Sequence, residues 1–251
     1  MSKDKKKVGI FAKLFGKDHD AHFNSAIIVA AGSGSRMKSD KTKQLMEVSQ
    51  MPVLARTVTQ FEKCSHINEI ILVCRKEEFP QIADIIRANK FKKITHVVSG
   101  GSTRQASVLN GLALVDKRSE FVSIHDGARC LITPEMISDV CKAAYRFGAA
   151  SASACAKDTM KIVDKDGFIK EDADRSTMRH AQTPQIFKTD LYRAAAYSAK
   201  EDGFEATDDN SLVTRLGIKV FLCDTGHENI KITTPEDIRI AEGILKYRQE
   251  K

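Results

Sequence analysis

The chain has 251 residues, of which 42% are hydrophobic, and it carries a formal net charge of +7. A chain of this length can bury a full core, which predicts one large domain. Its longest uninterrupted apolar run is about six residues, far short of the ~18 that a membrane-spanning helix needs, so stable membrane insertion is not expected. The modest charge, without an arginine-rich stretch interleaved with aromatic residues, argues against a nucleic-acid partner. A small anionic ligand in a local positive pocket fits this composition better.

The six cysteines lie far apart, without a C-x-x-C pair or clustered histidines. Their spacing argues against a zinc site, and a disulfide framework is not expected in a chain of this length. We therefore expect most of them to be core residues of a protein in the reducing cytoplasm.

Residues 1–24 differ from the rest of the chain, because a lysine-rich run at residues 3–7 precedes the apolar residues Val8, Ile10, Phe11, Leu14 and Phe15. These apolar residues could line one face of a short helix that lies on a membrane surface. A signal peptide is not expected, because Lys13 interrupts the apolar stretch and no small-residue cleavage site follows. A flexible extension is the favoured interpretation, since terminal segments are commonly unordered. The folded domain is expected to span residues 25–251.

After this extension, apolar runs alternate with amphipathic segments. The alternation predicts an α/β fold with a mostly parallel twisted sheet and helices on both faces. The predicted strands are residues 25–30, 69–74, 94–98, 121–125, 149–154, 220–223 and 230–232. The predicted helices are residues 52–63, 79–89, 103–115, 134–147, 188–200 and 235–248. Thr133 and Thr234 each precede a proline, and this order is typical of an N-cap followed by a first helical turn.

The alternation stops between the fifth strand and residue 179. Residues 159–163, a turn at 164–167 and residues 168–170 predict a β-hairpin. A hairpin inserted between a strand and the next helix often projects from the body, so residues 156–176 are a candidate interface arm.

The first predicted strand leads into the most informative segment of the chain, A-I-I-V-A-A-G-S-G-S-R-M, which begins at Ala26. Its small residues allow backbone N–H groups to approach an anion closely, and Arg36 and Lys43 add positive charge. The P-loop pattern is absent, and the dinucleotide fingerprint requires a glycine where Met37 stands. The segment therefore indicates a polyphosphate site, although an ordinary turn with solvated cations stays open on this motif alone.

Two further segments follow predicted strands. The segment that begins at Ser99, S-G-G-S-T-R-Q-A-S, opens a helix, and its glycines and hydroxyls could receive a base or a phosphate. The segment H-D-G-A-R ends the fourth strand, where doubly wound sheets collect their ligands. Asp126 could hold a cation or a sugar hydroxyl, Arg129 could meet a phosphate, and a mutual surface ion pair is the alternative. His125 should point away from Asp126 and is interpreted as a packed residue.

Near the C-terminus, N-I-K-I-T-T-P-E-D places Lys231 between apolar neighbours just before a helix. A lysine in a strand with apolar neighbours is costly to bury, so an anionic partner is expected for it. The segment T-D-D at Thr207 is first a helix-start signal and second a possible hydroxyl-binding pair.

Together these segments resemble one family, the 2-C-methyl-D-erythritol 4-phosphate cytidylyltransferases. The motifs run in order from Ala26 to about Glu242: A-A-G-S-G-S-R-M, K-Q, G-G-S-T-R-Q-A-S-V, H-D-G-A-R, D-T-M-K, D-R, T-P-Q-I-F, T-D-D and N-I-K-I-T-T-P-E-D. Each motif is short, but the ordered set is specific. The resemblance implies a Rossmann-like nucleotidyltransferase fold and transfer of CMP from CTP to a sugar-alcohol phosphate with release of pyrophosphate.

The resemblance also implies roles for individual residues. Those implied in catalysis are Arg36, Lys43, Arg175 and Lys231. Those implied in binding CTP are Ala30, Ala31, Gly32, Ser33, Gly34, Gly100, Gly101, Ser102, Arg104 and Ser107. Those implied in binding the sugar phosphate are Asp126, Arg129, Thr159, Arg175 and Lys231. Thr159 and Arg175 would reach the substrate of a neighbouring subunit, which implies a homodimer formed through the hairpin arm. Mg²⁺ would bind with the CTP phosphates, and its protein ligands are not identified.

Two alternatives stay open at this point. A ribitol-5-phosphate cytidylyltransferase shares the phosphate loop and N-I-K-I-T-T-P, but it typically has A-G-G at the loop and lacks D-T-M-K. A non-catalytic nucleotide-binding protein could keep the same fold, although the presence of both Arg36 and Lys43 argues against it.

Overall fold

A computed structural model describes residues 22–32 and 42–250. The predictions for the N-terminal extension up to residue 21, and those for Ser33, Gly34 and Arg36, therefore lie outside the described residues. The strands of the described part are β1 (Asn24–Val29), β2 (Glu47–Val48), β3 (Met51–Pro52), β4 (Glu69–Cys74), β5 (Ile94–Ser99), β6 (Phe121–Asp126), β7 (Ala149–Cys155), β8 (Lys161–Val163), β9 (Ile169–Asp172), β10 (Arg179–Lys188) and β11 (Phe221–Asp224).

Seven of these strands form one mixed sheet in the order β5-β4-β1-β6-β10-β7-β11. β1 is parallel to both of its neighbours, with Ile27 in register with Ile71 on β4 and Ile124 on β6. The chain proceeds from β1 outward to β4 and β5, and then returns to the opposite side of β1 as β6. This reversal is a topological switch point, and ligands of doubly wound sheets bind outside the strand ends at such a point.

The helices of the described part are α1 (Val53–Lys63), α2 (Phe79–Asn89), α3 (Arg104–Leu112), α4 (Pro134–Phe147), α5 (Thr189–Glu201), α6 (Asp209–Arg215) and α7 (Pro235–Gln249). They cover both faces of the sheet because side chains of a strand alternate between faces. Ala26 and Ile28 of β1 pack in one core with α1, α2 and α4. Ile27 packs in a second core with α3, α5 and α6. The predicted two-faced α/β fold is confirmed.

α7 packs beside the small β2–β3 sheet rather than on the main sheet. Its Ala241 belongs to a third core that also contains Val48, Leu131 and Ile232. The carboxylate of Asp237 accepts hydrogen bonds from the backbone N–H groups of Thr233 and Thr234, which fixes the start of the helix. This core holds the segment that carries Lys231 against the ends of the main-sheet strands.

One predicted strand is wrong, and one observed strand was not predicted. Residues 230–232 do not form a strand, because β11 already occupies the edge beside β7 and the segment crosses the strand ends instead. Its backbone contact there is a hydrogen bond from Ile232 N to the carbonyl of Ala128 at 2.8 Å. The long strand β10 was not predicted. It is antiparallel to both β6 and β7, so it needs no helical crossover and interrupts the βα alternation from which the other strands were predicted.

β8 and β9 form a separate two-stranded antiparallel sheet, as predicted for the arm. The amide of Asp164 binds the carbonyl of Phe168 across the turn, and Gly167 takes a φ of +90°, which favours glycine. All residues of both strands are exposed, and Phe168 keeps 73% of its surface accessible. The arm therefore projects from the body with an apolar surface.

The six cysteines are free thiols, and four of them are buried, as expected for core residues. Burial raises the pKa of the Cys130 thiol to about 11, which makes it unreactive near neutral pH. Within the described part of the chain, no helix combines the length and the apolar character that crossing a bilayer requires.

Candidate active site

A cavity of about 430 Å³ opens at the switch point, where β1, β5 and β6 end. The described residues that line it are Val29, Ala30, Ala31, Gly32, Lys43, Gln44, Gly101, Ser102, Thr103, Arg104, Ser107, Asp126, Ala128 and Lys231. The fold thus brings together, on one wall, segments that the sequence analysis selected separately. The loop residues Ser33, Gly34 and Arg36 lie outside the described part of the chain.

The end of β1 is held by Gln44, which is 1% exposed. Its side-chain amide donates to the carbonyl of Gly32 at 3.0 Å and to the carbonyl of Ala30. These bonds occupy carbonyl groups that follow the strand. They also place the neighbouring Lys43 at the cavity, beside the start of the glycine-rich loop.

The loop between β5 and α3 approaches the end of β1 very closely. A Cβ atom at Gly100 would lie 2.3 Å from the Cβ of Ala31, so no side chain fits there. The Ser107 hydroxyl accepts from the amide of Gly101 at 3.0 Å and donates to the carbonyl of Thr103 at 2.9 Å. Ser107 thus shapes the loop, whereas Ser102 is exposed on the cavity wall.

Asp126, at the end of β6, lies among three cationic side chains. Its Oδ2 is 2.7 Å from Lys231 Nζ and 3.9 Å from Arg129 Nε, and its Oδ1 is 3.1 Å from Arg104 Nε. The carboxylate is largely buried, with 11% of its side chain exposed. Burial opposes its ionisation, but the charges of Arg104 and Lys231 outweigh burial and hold its pKa well below the usual value. Asp126 is therefore ionised at neutral pH and holds three cationic side chains at the strand ends.

Arg104 joins this carboxylate to a second one. Its Nη1 lies 2.8 Å from Oδ2 of Asp209, which is 1% exposed. Burial disfavours the charged guanidinium, but Asp209 and Asp126 more than compensate and raise its pKa. Three cations and two carboxylates leave this cluster with one positive charge in excess. A cluster of that charge can attract a phosphate group.

A second cavity of about 290 Å³ lies on the other side of this cluster. The described residues that line it are Arg104, Asp126, Arg129, Ala181, Gln182, Thr183, Gln185, Thr207, Asp208 and Lys231. Arg104, Asp126 and Lys231 line both cavities, so the ion cluster is their common wall. Two anionic ligands could meet across it.

His125 is fully buried beside the cluster and points to the other side of the sheet, as predicted for a packed residue. Its Nε2 lies 3.3 Å from the carbonyl of Arg129, and its Nδ1 lies 3.0 Å from the hydroxyl of Thr183. Because a carbonyl can only accept, Nε2 carries the proton and Nδ1 accepts from Thr183. Burial lowers the pKa of His125 to about 3, so the ring is neutral at physiological pH.

The segment that carries Lys231 is fixed by its neighbour Asn229, which is fully buried. The Asn229 side chain donates to Gln182 Oε1 at 2.9 Å and to the carbonyl of Thr183 at 3.0 Å. The backbone carbonyl of Asn229 accepts a hydrogen bond from Arg129 Nη1 at 2.8 Å. The anionic partner expected for Lys231 is Asp126, although the lysine lies in an irregular segment rather than in a strand.

Thr159 and Arg175 are not among the described residues that line either cavity. Both lie on the arm and are exposed, and Arg175 donates from Nη1 to the carbonyl of Lys157 at 2.8 Å. A single chain therefore does not bring them to the site.

Three residues hold the site by contacts that the sequence analysis did not predict. Thr183 accepts from the amide of Asp126 at 3.0 Å, Asn229 holds Arg129, and Asp209 holds Arg104. Each belongs to a quoted motif (T-P-Q, N-I-K and T-D-D), so the signal was present. Their partners lie far away in the sequence, and only the sheet order identifies them.

The described residues contain no group of three or more His, Cys, Asp or Glu side chains that could hold a metal ion. Among the described residues that line the first cavity, Asp126 is the one that carries a carboxylate. Both of its oxygens already lie beside cationic side chains. This donor set does not fit a resident metal.

Comparison with known proteins gives consistent findings. A sequence model of the family described as "IspD: 2-C-methyl-D-erythritol 4-phosphate cytidylyltransferase" matches residues 25–247. The chain is 44% identical over 224 residues to the enzyme of that name from Clostridium acetobutylicum, covering 89% of this chain and 97% of the relative. It is 43% identical over 223 residues to that from Caldanaerobacter subterraneus, covering 88% and 98%. The crystal structure of 4-diphosphocytidyl-2C-methyl-D-erythritol synthase from Anaerococcus prevotii superposes with a TM-score of 0.82 at 36% identity, covering 90% of this chain and 97% of that chain.

Proposed function

Because the chain belongs to the 2-C-methyl-D-erythritol 4-phosphate cytidylyltransferase family, we propose that it transfers CMP from CTP to 2-C-methyl-D-erythritol 4-phosphate. The products are 4-diphosphocytidyl-2-C-methyl-D-erythritol and pyrophosphate, in the non-mevalonate isoprenoid pathway. The observation that carries this proposal is the common wall of the two cavities, formed by Arg104, Asp126 and Lys231. It allows two phosphorylated ligands to meet at one cationic cluster.

CTP occupies the first cavity in this proposal. Lys43 and the backbone of Ala30–Gly32 face its phosphates, while Gly101 and Ser102 face the nucleoside. Gly100 and Ser107 give the loop its shape. The sugar phosphate occupies the second cavity, with its phosphate near Lys231 and Arg129 and its hydroxyls near Asp126.

The chemistry is an in-line displacement at phosphorus. An oxygen of the sugar phosphate attacks the α-phosphorus of CTP and forms a new P–O bond, while the bond to the bridging oxygen of pyrophosphate breaks. The attacking phosphate is already ionised at neutral pH, so no general base is required. This agrees with His125, whose buried neutral ring faces away from the cavities.

The residues supply position and charge. In this proposal Lys43 and Arg36 stabilise the negative charge that develops around the α-phosphorus, and Lys231 holds the attacking phosphate. Mg²⁺ enters as part of the substrate, bound to the CTP phosphates, since the described donor set does not form a metal cage. We place the reaction in the cytoplasm, because the six thiols are unpaired and four are buried.

A matrix of nucleotides and sugar phosphates tests this function. Pyrophosphate release is measured with CTP, UTP and ATP, each with 2-C-methyl-D-erythritol 4-phosphate or D-ribitol 5-phosphate, in the presence of Mg²⁺. Turnover is expected to be highest for CTP with the methylerythritol compound. Faster use of ribitol 5-phosphate would overturn the assigned acceptor, and binding of CTP without release of pyrophosphate would indicate a non-catalytic protein.

The exposed arm supports a homodimer. Thr159 and Arg175 lie away from both cavities of their own chain, and the arm carries an apolar surface that includes Phe168 and Ile169. In the dimer, each arm packs on the partner and delivers Thr159 and Arg175 to the partner's sugar-phosphate cavity.

A complementation experiment tests this shared site. Protomers with Lys43→Ala keep an intact arm, whereas protomers with Arg175→Ala keep an intact cavity, and each homodimer should be nearly inactive. Mixing after reversible dissociation should restore up to about one quarter of wild-type activity, because half of the dimers are mixed and each has one complete site. Unchanged low activity, in a mixture shown to contain mixed dimers, would contradict the delivery of Arg175 across the interface.

A further inference from the structure

Asp209 is a buried carboxylate that the proposed reaction does not use directly. It begins α6, is 1% exposed and is not among the described residues that line either cavity. A buried charge is costly unless it is paired. Its partner is Arg104, whose Nη1 lies 2.8 Å from Oδ2.

The other oxygen of Asp209 is held from a third element. Tyr192 on α5 donates its hydroxyl to Oδ1 at 2.5 Å, and its ring is 1% exposed and stacks on Phe187 with centroids 5.2 Å apart. Burial and the neighbouring carboxylate of Asp209 raise the pKa of Tyr192 far above its usual value, so the hydroxyl stays protonated and donates. A rigid part of the core thus fixes the carboxylate.

Arg104 is the member of the ion cluster that this arrangement orients. It begins α3, and only 29% of its side chain is exposed. One edge of the guanidinium faces Asp209 and another faces Asp126, so two carboxylates on different elements define its position. Because Arg104 lines both cavities, its position affects both substrates at once.

We infer that Asp209, oriented by Tyr192, is a positioning residue that acts through Arg104 on the binding of both CTP and the sugar phosphate. This inference rests on the proposed function for the sugar phosphate. Without Asp209, Arg104 keeps Asp126 as its one charged partner among the described residues and moves toward it, where it competes with Lys231. The common wall of the two cavities then changes shape and charge together.

A double-mutant cycle tests this inference. Asp209→Asn removes the charge at nearly constant volume, and we expect it to lower kcat/KM for both substrates about tenfold, since misplacement by about 1 Å can cost up to ~100-fold. In an Arg104→Gln background the same substitution should change kcat/KM less than twofold, because its target is gone. Asp209→Glu should restore part of the loss. An equal loss in both backgrounds would overturn the inference.

Binding of CTP without turnover gives a second readout. Asp209→Asn should raise the dissociation constant for CTP about tenfold in the wild-type background and not in the Arg104→Gln background, as measured by titration calorimetry. This measurement needs no sugar phosphate, so it judges the positioning role even if the proposed acceptor is wrong. An unchanged dissociation constant for CTP in the wild-type background would overturn the inference.

Two further variants separate positioning from folding. Tyr192→Phe removes only the hydroxyl that orients Asp209. It should therefore lower kcat/KM less than Asp209→Asn does, and this loss should also disappear in the Arg104→Gln background. If Asp209→Asn does not fold, Tyr192→Phe replaces it in the cycle. Asp202→Asn is the matched control, because Asp202 pairs with Arg215 and also joins α5 to α6, but away from the cavities. It should leave both the activity and the dissociation constant for CTP unchanged. A loss as large as that of Asp209→Asn would show a general packing effect and contradict the inference.

Discussion

Asp126, at the end of β6, has three cationic partners within its own chain, whereas all residues of β8 and β9 in the arm are exposed. The first region is determined by contacts inside the protomer, so its charges and positions are fixed before any substrate binds. The second region, the arm, has a defined hairpin shape, but the side chains of its two strands are exposed. The comparison shows that the cations at the strand ends are held by contacts within one chain, whereas Thr159 and Arg175 of the arm are not among the described residues that line the cavities of their own chain.

The largest effect is expected from breaking the ion cluster. Asp126→Asn leaves three buried or half-buried cations without their central anion, so we expect the free energy of unfolding to fall by about 3–5 kcal/mol. Urea denaturation measures this loss. Asp84→Asn is the control, because the Asp84–Arg87 pair is exposed and its loss should change stability little. Equal effects of the two substitutions would contradict the central role of Asp126.

The same cluster sets a dependence on pH. The pKa of Asp126 is well below its usual value in the folded protein, so its ionised form stabilises the fold fully above the unfolded pKa of about 3.9. This contribution is lost as the pH falls through the folded pKa. Stability measured from pH 7 down to pH 3 should therefore fall less steeply in Asp126→Asn than in the wild type, after the loss at pH 7 is subtracted. Parallel curves would argue against a depressed pKa.

Catalysis should depend strongly on the cations beside the phosphates. Lys43→Ala is expected to lower kcat by about 10²–10³-fold, which is typical of removing one preorganised group that stabilises transition-state charge. Arg36→Ala is expected to have an effect of at least about 10²-fold for the same reason. Pyrophosphate release at saturating substrates measures both, and thermal unfolding checks that the fold persists. A loss confined to KM would assign these residues to binding alone.

A smaller effect is expected from the close approach of two loops. Gly100→Ala places a Cβ atom 2.3 Å from that of Ala31, so we expect a loss of about 1–3 kcal/mol in stability and weaker binding of CTP. Gly243→Ala on α7 is the control, since a Cβ atom there would meet nothing within 4 Å among the described residues. If both substitutions weaken CTP binding equally, the effect comes from backbone flexibility and not from packing.

The smallest effect is expected from one apolar residue of the arm. Phe168→Ala should raise the dissociation constant of the dimer about tenfold, because the dimer loses two rings, one from each arm, and partial burial of each, roughly 30 Å² at about 25 cal/mol per Å², contributes about 0.7 kcal/mol. Analytical ultracentrifugation measures this constant. Ile240→Ala is the control, because Ile240 is 52% exposed on α7 and away from the arm. A dimer insensitive to Phe168 but sensitive to Ile240 would place the interface elsewhere.

Local patterns were sufficient for most of the fold. The apolar run at residues 69–74 and the helices at 79–89 and 134–147 have the predicted bounds, because hydrophobic period, capping residues and prolines are all local signals. The sequence does not predict β10, because this strand lacks the apolar run that identifies the other strands. It contains T-P-Q instead, and it follows a hairpin. Residues 230–232 are predicted as a strand, but β11 occupies the edge of the sheet beside β7.

The amino-acid sequence by itself determined the types of side chain at the strand ends, since glycines, hydroxyls and cations near residues 32, 102 and 126 are local features. The tertiary structure alone decided which of them meet. Lys231 faces Asp126, Asp209 faces Arg104, and Asn229 holds Arg129, each across a long stretch of sequence. Such pairs depend on the order of strands in the sheet, which follows from the burial of the whole core and not from any single segment.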